Sequence, residues 1–236
     1  MSSKQIIKQA AYYAFPHTIP IFAGFWFLGI TYGIYMHISG FCFLYPMLMG
    51  LTIFGGSLEF LAVKMLLSPF APVQVLVMTV LIQARHLFYG ISMLDPFKGM
   101  GFKKFYLIFG MCDETFSINY SAKIPENVDR GWFMFFVTLF NHFYWVSGAA
   151  LGGILGSLIS FNTKGLDFVM TAMFIVIFLE QWLREKSHAA SFTGVLVSVL
   201  CLILFGPDSF MIPTMVCILF FLTIFRTPLE KEGGMV

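Results

Sequence analysis

The sequence predicts an all-α membrane protein, a polytopic helical bundle of about seven or eight transmembrane segments, some of them discontinuous. Three observations carry that prediction. Hydrophobic residues make up 58% of the chain and charged residues only 11%, far below the roughly 25% charge of a soluble domain. Apolar runs long enough to cross a bilayer follow one another through the 236 residues with short polar links between them. One of those runs, PVQVLVMTVLIQARHLFYGISML at 72–94, carries Arg85 and His86 well inside it. A cation at that depth costs about 2.5–3.5 kcal/mol on insertion scales unless protein or water supplies a partner. Lipid cannot, so these groups are expected to line a polar site in a transporter or channel.

The elements follow in order. Residues 1–15 read as an amphipathic interfacial N-terminal segment, with SKQIIKQAAYYAF (3–15) as a short helix at the cytoplasmic face. Pro16 is expected to open the first span, 16–37, which is too long for a signal-peptide core, lacks a cleavage site and should be retained. The run 41–67 is interrupted by Gly55-Gly56-Ser57, with Glu59 and Lys64 beyond. Pro69 and Pro72 lead into the Arg-His span, which Asp95-Pro96 ends. A basic loop (Lys98, Lys103, Lys104) precedes a short span, 105–122, that contains Asp113, Glu114 and Asn119. The span 131–159 holds Asn141-His142 and then Gly148, Gly152 and Gly156, a four-residue row suited to close helix packing. Spans at 166–183, 189–206 and 210–226 complete a single transmembrane domain (16–227), and 228–236 is a polar tail.

Loop cations place both termini inside for eight spans, but the 98–104 loop then lies outside against the rule. A run that enters and leaves on one side, either 41–67 or 105–122, would repair that conflict. An inverted repeat is compatible with the broken helices, although no alignment of two halves is evident.

Composition also excludes classes. The net charge of +2 is spread through loops and gives no face for nucleic acid. Cys42, Cys112, Cys201 and Cys217 lie in apolar runs without C-x-x-C or zinc spacing, so buried free thiols are expected. The five histidines are dispersed, which gives an intramembrane metal site only weak support, and no G-x-x-x-x-G-K-[ST] or H-E-x-x-H occurs. No cofactor, ATP coupling or enzymatic activity is expected.

Four polar groups lie at membrane depth: Ser57/Glu59, Gln83/Arg85/His86, Asp113/Glu114/Asn119 and Asn141/His142. Beside helix breakers, such groups mark discontinuous helices whose free ends build a binding site. Helix N-termini and Arg85 suit a carboxylate, while acids and unwound carbonyls suit an ammonium group. The candidate substrate-binding residues are therefore Arg85, His86, Ser57, Asn141 and His142. The candidate proton-coupling residues are Glu59, Asp113 and Glu114, since a carboxylate withdrawn from water can exchange protons near neutrality. Plainer readings stand beside these. Arg85 can be a structural ion-pair partner of Glu59, Asp113 or Glu114, and His86 a packing histidine. Asn141 and His142 can be interhelical hydrogen-bonders, and Asp167 an N-cap.

The same clusters carry a family resemblance. GGSLEFLA (55–62), QARHLFYG (83–90), CDETFSIN (112–119), NHFYWVSG (141–148) and GLDFVMTAMF (165–174) resemble, in order, the motifs of the AzlC/YgaZ family of branched-chain amino acid permeases. The resemblance spans about 14–185, with Glu59 where that family usually has Gln and Gln83 where it has Asn. It implies the large subunit of a two-component exporter of leucine, isoleucine and valine, and sometimes methionine, in the cell inner membrane. The implied partner is a small AzlD-type membrane subunit. Arg85, His86, Asp113, Glu114, Asn141 and Asp167 carry over as family positions. The expected function is secondary, proton-coupled export; a channel, or a transporter for another small solute, is the alternative.

Overall fold

The computed structural model describes residues 2–158, 188–206 and 210–224, with isolated positions between 172 and 183. Among the described residues the regular structure is helical throughout. The chain divides into two compact units, Met1–Thr163 and Lys164–Val236. The predicted span 166–183 and Asp167 lie outside the described residues.

The first unit is built on two long helices, α1 (Ser3–Ile38) and α8 (Arg130–Leu158). Both are long and apolar enough to cross a membrane. The sequence predicts a division at Pro16, yet α1 runs unbroken for 36 residues through Pro16 and Pro20. Local side chains add bonds in the same turns: the Thr18 hydroxyl donates to the Phe15 carbonyl (2.9 Å), and His17 Nδ1 lies 2.9 Å from the Tyr13 carbonyl. Tertiary packing does the rest. Ala10 and Ala14 are fully buried, in one apolar cluster with Phe133, Met134 and Val137 of α8.

Further along, α1 and α8 approach backbone to backbone. A Cβ on Gly33 would collide with the Ala149 carbonyl, and one on Gly152 with the Ile30 carbonyl. The predicted glycine row is thus a packing seam.

Between these helices in sequence come shorter ones. The run 41–67 is broken as predicted: α2 (Leu44–Thr52) and α3 (Ser57–Leu67) flank a turn in which Phe54 and Gly56 have positive φ, 46° and 52°. The Arg-His run was expected to be one helix but is two, α4 (Pro72–Ile82) and α5 (Ala84–Ser92), bent by 53°. Gln83 forms the corner, and its Nε2 donates to the Gly55 carbonyl at 3.2 Å. The run 105–122 is likewise two helices, α6 (Lys103–Phe109) and α7 (Asp113–Ser121), separated at Gly110, Met111 and Cys112. The order of short helix, glycine-containing break, short helix and long apolar segment therefore occurs twice, at 44–92 and 103–158.

In the second unit α9 (Ala189–Phe205) packs against α10 (Met211–Ile224), two apolar helices that lie within the runs 189–206 and 210–226. All four cysteines are free, as expected, but only Cys201 is fully buried; Cys42 is exposed and Cys112 and Cys217 are half-buried.

Candidate functional site

The breaks bring helix starts together. Ser57 and Glu59 occupy the first turn of α3, Arg85 and His86 that of α5, and Asp113 and Glu114 that of α7. Each start leaves backbone N–H groups without helical acceptors and carries the positive end of a helix dipole. Acidic residues are stabilised in such positions, whereas Arg85 is not and needs a partner of its own.

That partner is Asp113. Arg85 Nη1 lies 2.6 Å from Asp113 Oδ2, and Nη2 is 3.4 Å from the Ser57 hydroxyl. About a third of the Arg85 side chain stays exposed, 34%, against 28% for Asp113. From the other side α8 supplies Asn141, His142 and Trp145, the last one turn beyond the first two. Asn141 Nδ2 donates to Thr115 Oγ1 on α7 at 3.0 Å, and Trp145 Nε1 donates to Glu59 Oε2 on α3 at 2.5 Å. His142 lies between, with Nε2 3.2 Å from the Gly50 carbonyl on α2 and Nδ1 3.0 Å from the Tyr106 hydroxyl on α6. A carbonyl only accepts, so Nε2 carries the proton and Nδ1 accepts from tyrosine.

The links close a ring: α3 to α5 through Ser57–Arg85, α5 to α7 through Arg85–Asp113, α7 to α8 through Thr115–Asn141, and α8 back to α3 through Trp145–Glu59. Around it, buried polar atoms lack hydrogen-bond partners among the described residues. These are Glu59 Oε1, Gln83 Oε1, Arg85 Nε, His86 Nδ1, Asp113 Oδ1 and Asn141 Oδ1. Partnerless buried polar groups are rare in native interiors and concentrate where a ligand or water completes them. The set has both signs: a guanidinium for an anion, and acid and amide oxygens for a cation or N–H donor. No group of acids, histidines or cysteines suited to a metal ion occurs among the described residues.

The candidates from sequence therefore separate. Arg85, Ser57, Asp113, Glu59 and Asn141 belong to the ring. His142 adjoins it with both ring nitrogens engaged. His86 packs edge-on to Tyr89, with ring centroids 5.7 Å apart, and Glu114 follows Asp113 half-buried without entering the ring. Two plainer readings are realised as well: Arg85 is an ion-pair partner, and Asn141 and His142 bond between helices. Sequence reasoning missed Trp145, Thr115 and Tyr106 as members of the site. Trp145 stood in the motif NHFYWVSG, one turn beyond Asn141, and that spacing is the signal that could have found it.

A closed polar ring at the broken ends of helices, inside an otherwise apolar bundle, defines a membrane transport protein. Residues 20–159 match the family described as AzlC protein, and the chain belongs to that family. It is 62% identical to the branched-chain amino acid transport protein AzlC of Bacillus subtilis, over 98% of this chain and 91% of that one. It is 51% identical to an uncharacterized membrane protein of Haemophilus influenzae, over 96% and 93% of the two chains. An uncharacterized membrane protein of Helicobacter pylori is 37% identical, over 92% and 95%. No solved structure matches the chain.

Proposed function

We propose that this protein exports branched-chain amino acids across the cytoplasmic membrane by alternating access, as a multi-pass subunit of seven or eight spans. The observation that carries the reading is the Arg85–Asp113 pair set among helix starts. Its two charges are opposite in sign to an amino acid's carboxylate and ammonium, so the pair, once parted, can take both. A zwitterion can insert between them, with its carboxylate on Arg85 and its ammonium on Asp113 and the Asn141 carbonyl oxygen. The ion pair reforms when the substrate leaves, so neither charge is stranded in the empty carrier.

Similarity to the Bacillus protein supports branched-chain substrates, and the apolar surroundings of the ring agree with it. Proton coupling falls to Glu59, Asp113 and Glu114, and a small AzlD-type subunit is the partner. The twofold order of elements supports an inverted repeat.

The test is efflux from cells preloaded with leucine-, valine-, isoleucine- and methionine-containing dipeptides, with this chain alone and with a small AzlD-type subunit. Saturable efflux of branched-chain residues that falls when an uncoupler collapses the proton gradient is the expected result. Efflux equal to empty cells, with both proteins confirmed in the membrane, overturns the reading.

A further inference from the structure

The long helices α1 and α8 run parallel, and their pairings form a scale of depth through the first unit. Ala10 and Ala14 cluster with Phe133 and Val137, Trp26 Nε1 donates to the Ser147 hydroxyl at 3.0 Å, and a Cβ on Gly156 would meet the His37 side chain. Both helices therefore begin at one end of the unit, the near end, and finish at the other, the far end.

The two broken runs enter this scale from opposite ends. Helix α2 starts beside Gly153, where a Cβ would meet Phe43, and reaches mid-depth at Gly50, whose carbonyl faces His142. Past the break α3 turns back: Trp145 donates to Glu59, and Phe60 stacks on Tyr35 nearer the far end, with ring centroids 6.3 Å apart. Helix α6 does the reverse. It starts at the near end, where Lys103 Nζ lies 4.1 Å from the centre of the Trp132 ring, and reaches mid-depth where Tyr106 meets His142. Helix α7 then starts beside Asn141 and leads back to the near end, where the Tyr13 hydroxyl donates to the Lys123 carbonyl at 3.3 Å. The lengths agree. Helices α2, α3, α6 and α7 have 9, 11, 7 and 9 residues; at 1.5 Å per residue each spans about 10–17 Å, roughly half or less of a 30 Å hydrocarbon core. The pair α4–α5 behaves differently. It bends by 53° without reversing and continues from mid-depth, where Gln83 meets Gly55, to the near end, where Met93 and Phe97 join the Ala10 cluster.

We propose that the first unit crosses the membrane three times, through α1, α4–α5 and α8, and that its two broken runs are re-entrant hairpins. Residues 44–67 dip in from the outer face and 103–121 from the cytoplasmic face, and their tips meet at the ring around Arg85 and Asp113. The proposal rests on the reading of this unit as membrane-spanning; the number of membrane segments proposed above is unchanged, but two of them turn back. Non-helical backbone at membrane depth is tolerated where protein surrounds it, and Phe54 and Gly55 at one tip and Gly110 and Met111 at the other are all buried. Charge assigns the faces. Lys4 and Lys8, the three lysines of the 98–104 loop, Lys123 and Arg130 all fall at the near end, whereas Lys64 is the far-end cation among the described residues. Cations gather on the cytoplasmic side, so the near end is cytoplasmic. The 98–104 loop thereby obeys the rule that it breaks when every run crosses. Re-entry of 44–67 alone would only move the conflict to Lys123 and Arg130, so both hairpins are needed. Ser57 and Glu59 are then held by an element anchored outside, Asp113 and Thr115 by one anchored inside, and the ring is where the two join.

The test is the sidedness of four single thiols. Cys42, Cys112, Cys201 and Cys217 are replaced by serine or alanine, and Lys4→Cys, Ser68→Cys, Lys98→Cys and Glu126→Cys, all at exposed positions, are introduced one at a time. Each full-length variant is exposed to a membrane-impermeant maleimide in intact cells and in inside-out vesicles, so every thiol is read from both faces. Expected is labelling of Ser68→Cys in cells only, and of the other three in inside-out vesicles only. Lys4→Cys and Lys98→Cys on opposite faces would mean that 44–67 crosses, and would overturn the first hairpin. Lys98→Cys and Glu126→Cys on opposite faces would overturn the second. Labelling of Lys4→Cys in intact cells would overturn the assignment of faces. No amino acid enters the assay, so its failure is separable from that of the transport reading. Branched-chain efflux with a crossing pattern of labels would keep the exporter and discard the hairpins, and the expected pattern in a protein without efflux would do the reverse.

Discussion

Replacing Arg85 by Gln removes the cation from the ring and leaves Asp113 facing a neutral amide. In a dry interior, breaking an ion pair by deleting one partner costs about 3–5 kcal/mol, and at a fully exposed surface a pair contributes about 0–1 kcal/mol. With 34% and 28% of the two side chains exposed, this pair lies between those limits, and a loss of about 2 kcal/mol is expected. Most of that loss is the stranded Asp113 charge rather than the attraction itself. The double variant Arg85→Gln/Asp113→Asn should therefore recover the larger part of the stability, since an amide pair has no charge to strand. Transport should not recover, because neither zwitterion charge then has a counterpart. The assay pairs thermal unfolding of the detergent-solubilised protein with efflux of leucine from preloaded cells. A double variant that is stable but inactive assigns the pair to substrate. One that transports normally refutes the reasoning, and the pair would then serve only to hold α5 against α7.

Two further outcomes follow from the packing. Trp145→Phe keeps an aromatic ring but withdraws the side-chain hydrogen bond that the indole N–H gives to the fully buried Glu59 carboxyl group. A loss of about 1–3 kcal/mol is expected, read as a lower unfolding temperature, with near-normal stability regained in Trp145→Phe/Glu59→Leu. Gly152→Leu drives a side chain into the Ile30 backbone and should cost at least the roughly 1–3 kcal/mol of an overpacked core, seen as a loss of folded protein in detergent; wild-type melting would refute the seam.

What the sequence made legible was mainly local. Gly55-Gly56 announced a break because glycine alone enters the left-handed region freely, and Gly56 does so at φ 52°. The acids Asp113 and Glu114 stood in a run too short for a full span, and they lie where a helix start favours them. What escaped was decided by distant residues. Pro16 and Pro20 ordinarily end a helix, yet α1 continues because α8 packs along it. The apolar run 72–94 carries no glycine or proline near its middle, so its periodicity gave no sign of a corner. The corner at Gln83 depends on a hydrogen bond to Gly55, 28 residues away. Pairings such as Trp145 with Glu59 span 86 residues and follow from the crossing of helices, which no local pattern encodes.

The arrangement divides recognition into two kinds of contact. On the proposed reading Arg85, Asp113 and the amide of Asn141 address groups that every α-amino acid shares, so they secure binding of the class without selecting within it. Selection must then come from side chains that adjoin the ring, where Phe54, Phe60 and Tyr32 are buried around Glu59 and Trp145. Apolar walls discriminate by area, at about 0.8 kcal/mol for each methylene removed from water. Leucine carries three more carbons than alanine, which amounts to about 2.4 kcal/mol, or roughly 60-fold, while leucine and isoleucine differ only in shape. Such a site separates branched-chain residues from small ones well and from one another poorly. On the proposed reading, breadth within the class follows from placing every strong, directional interaction on the backbone of the substrate.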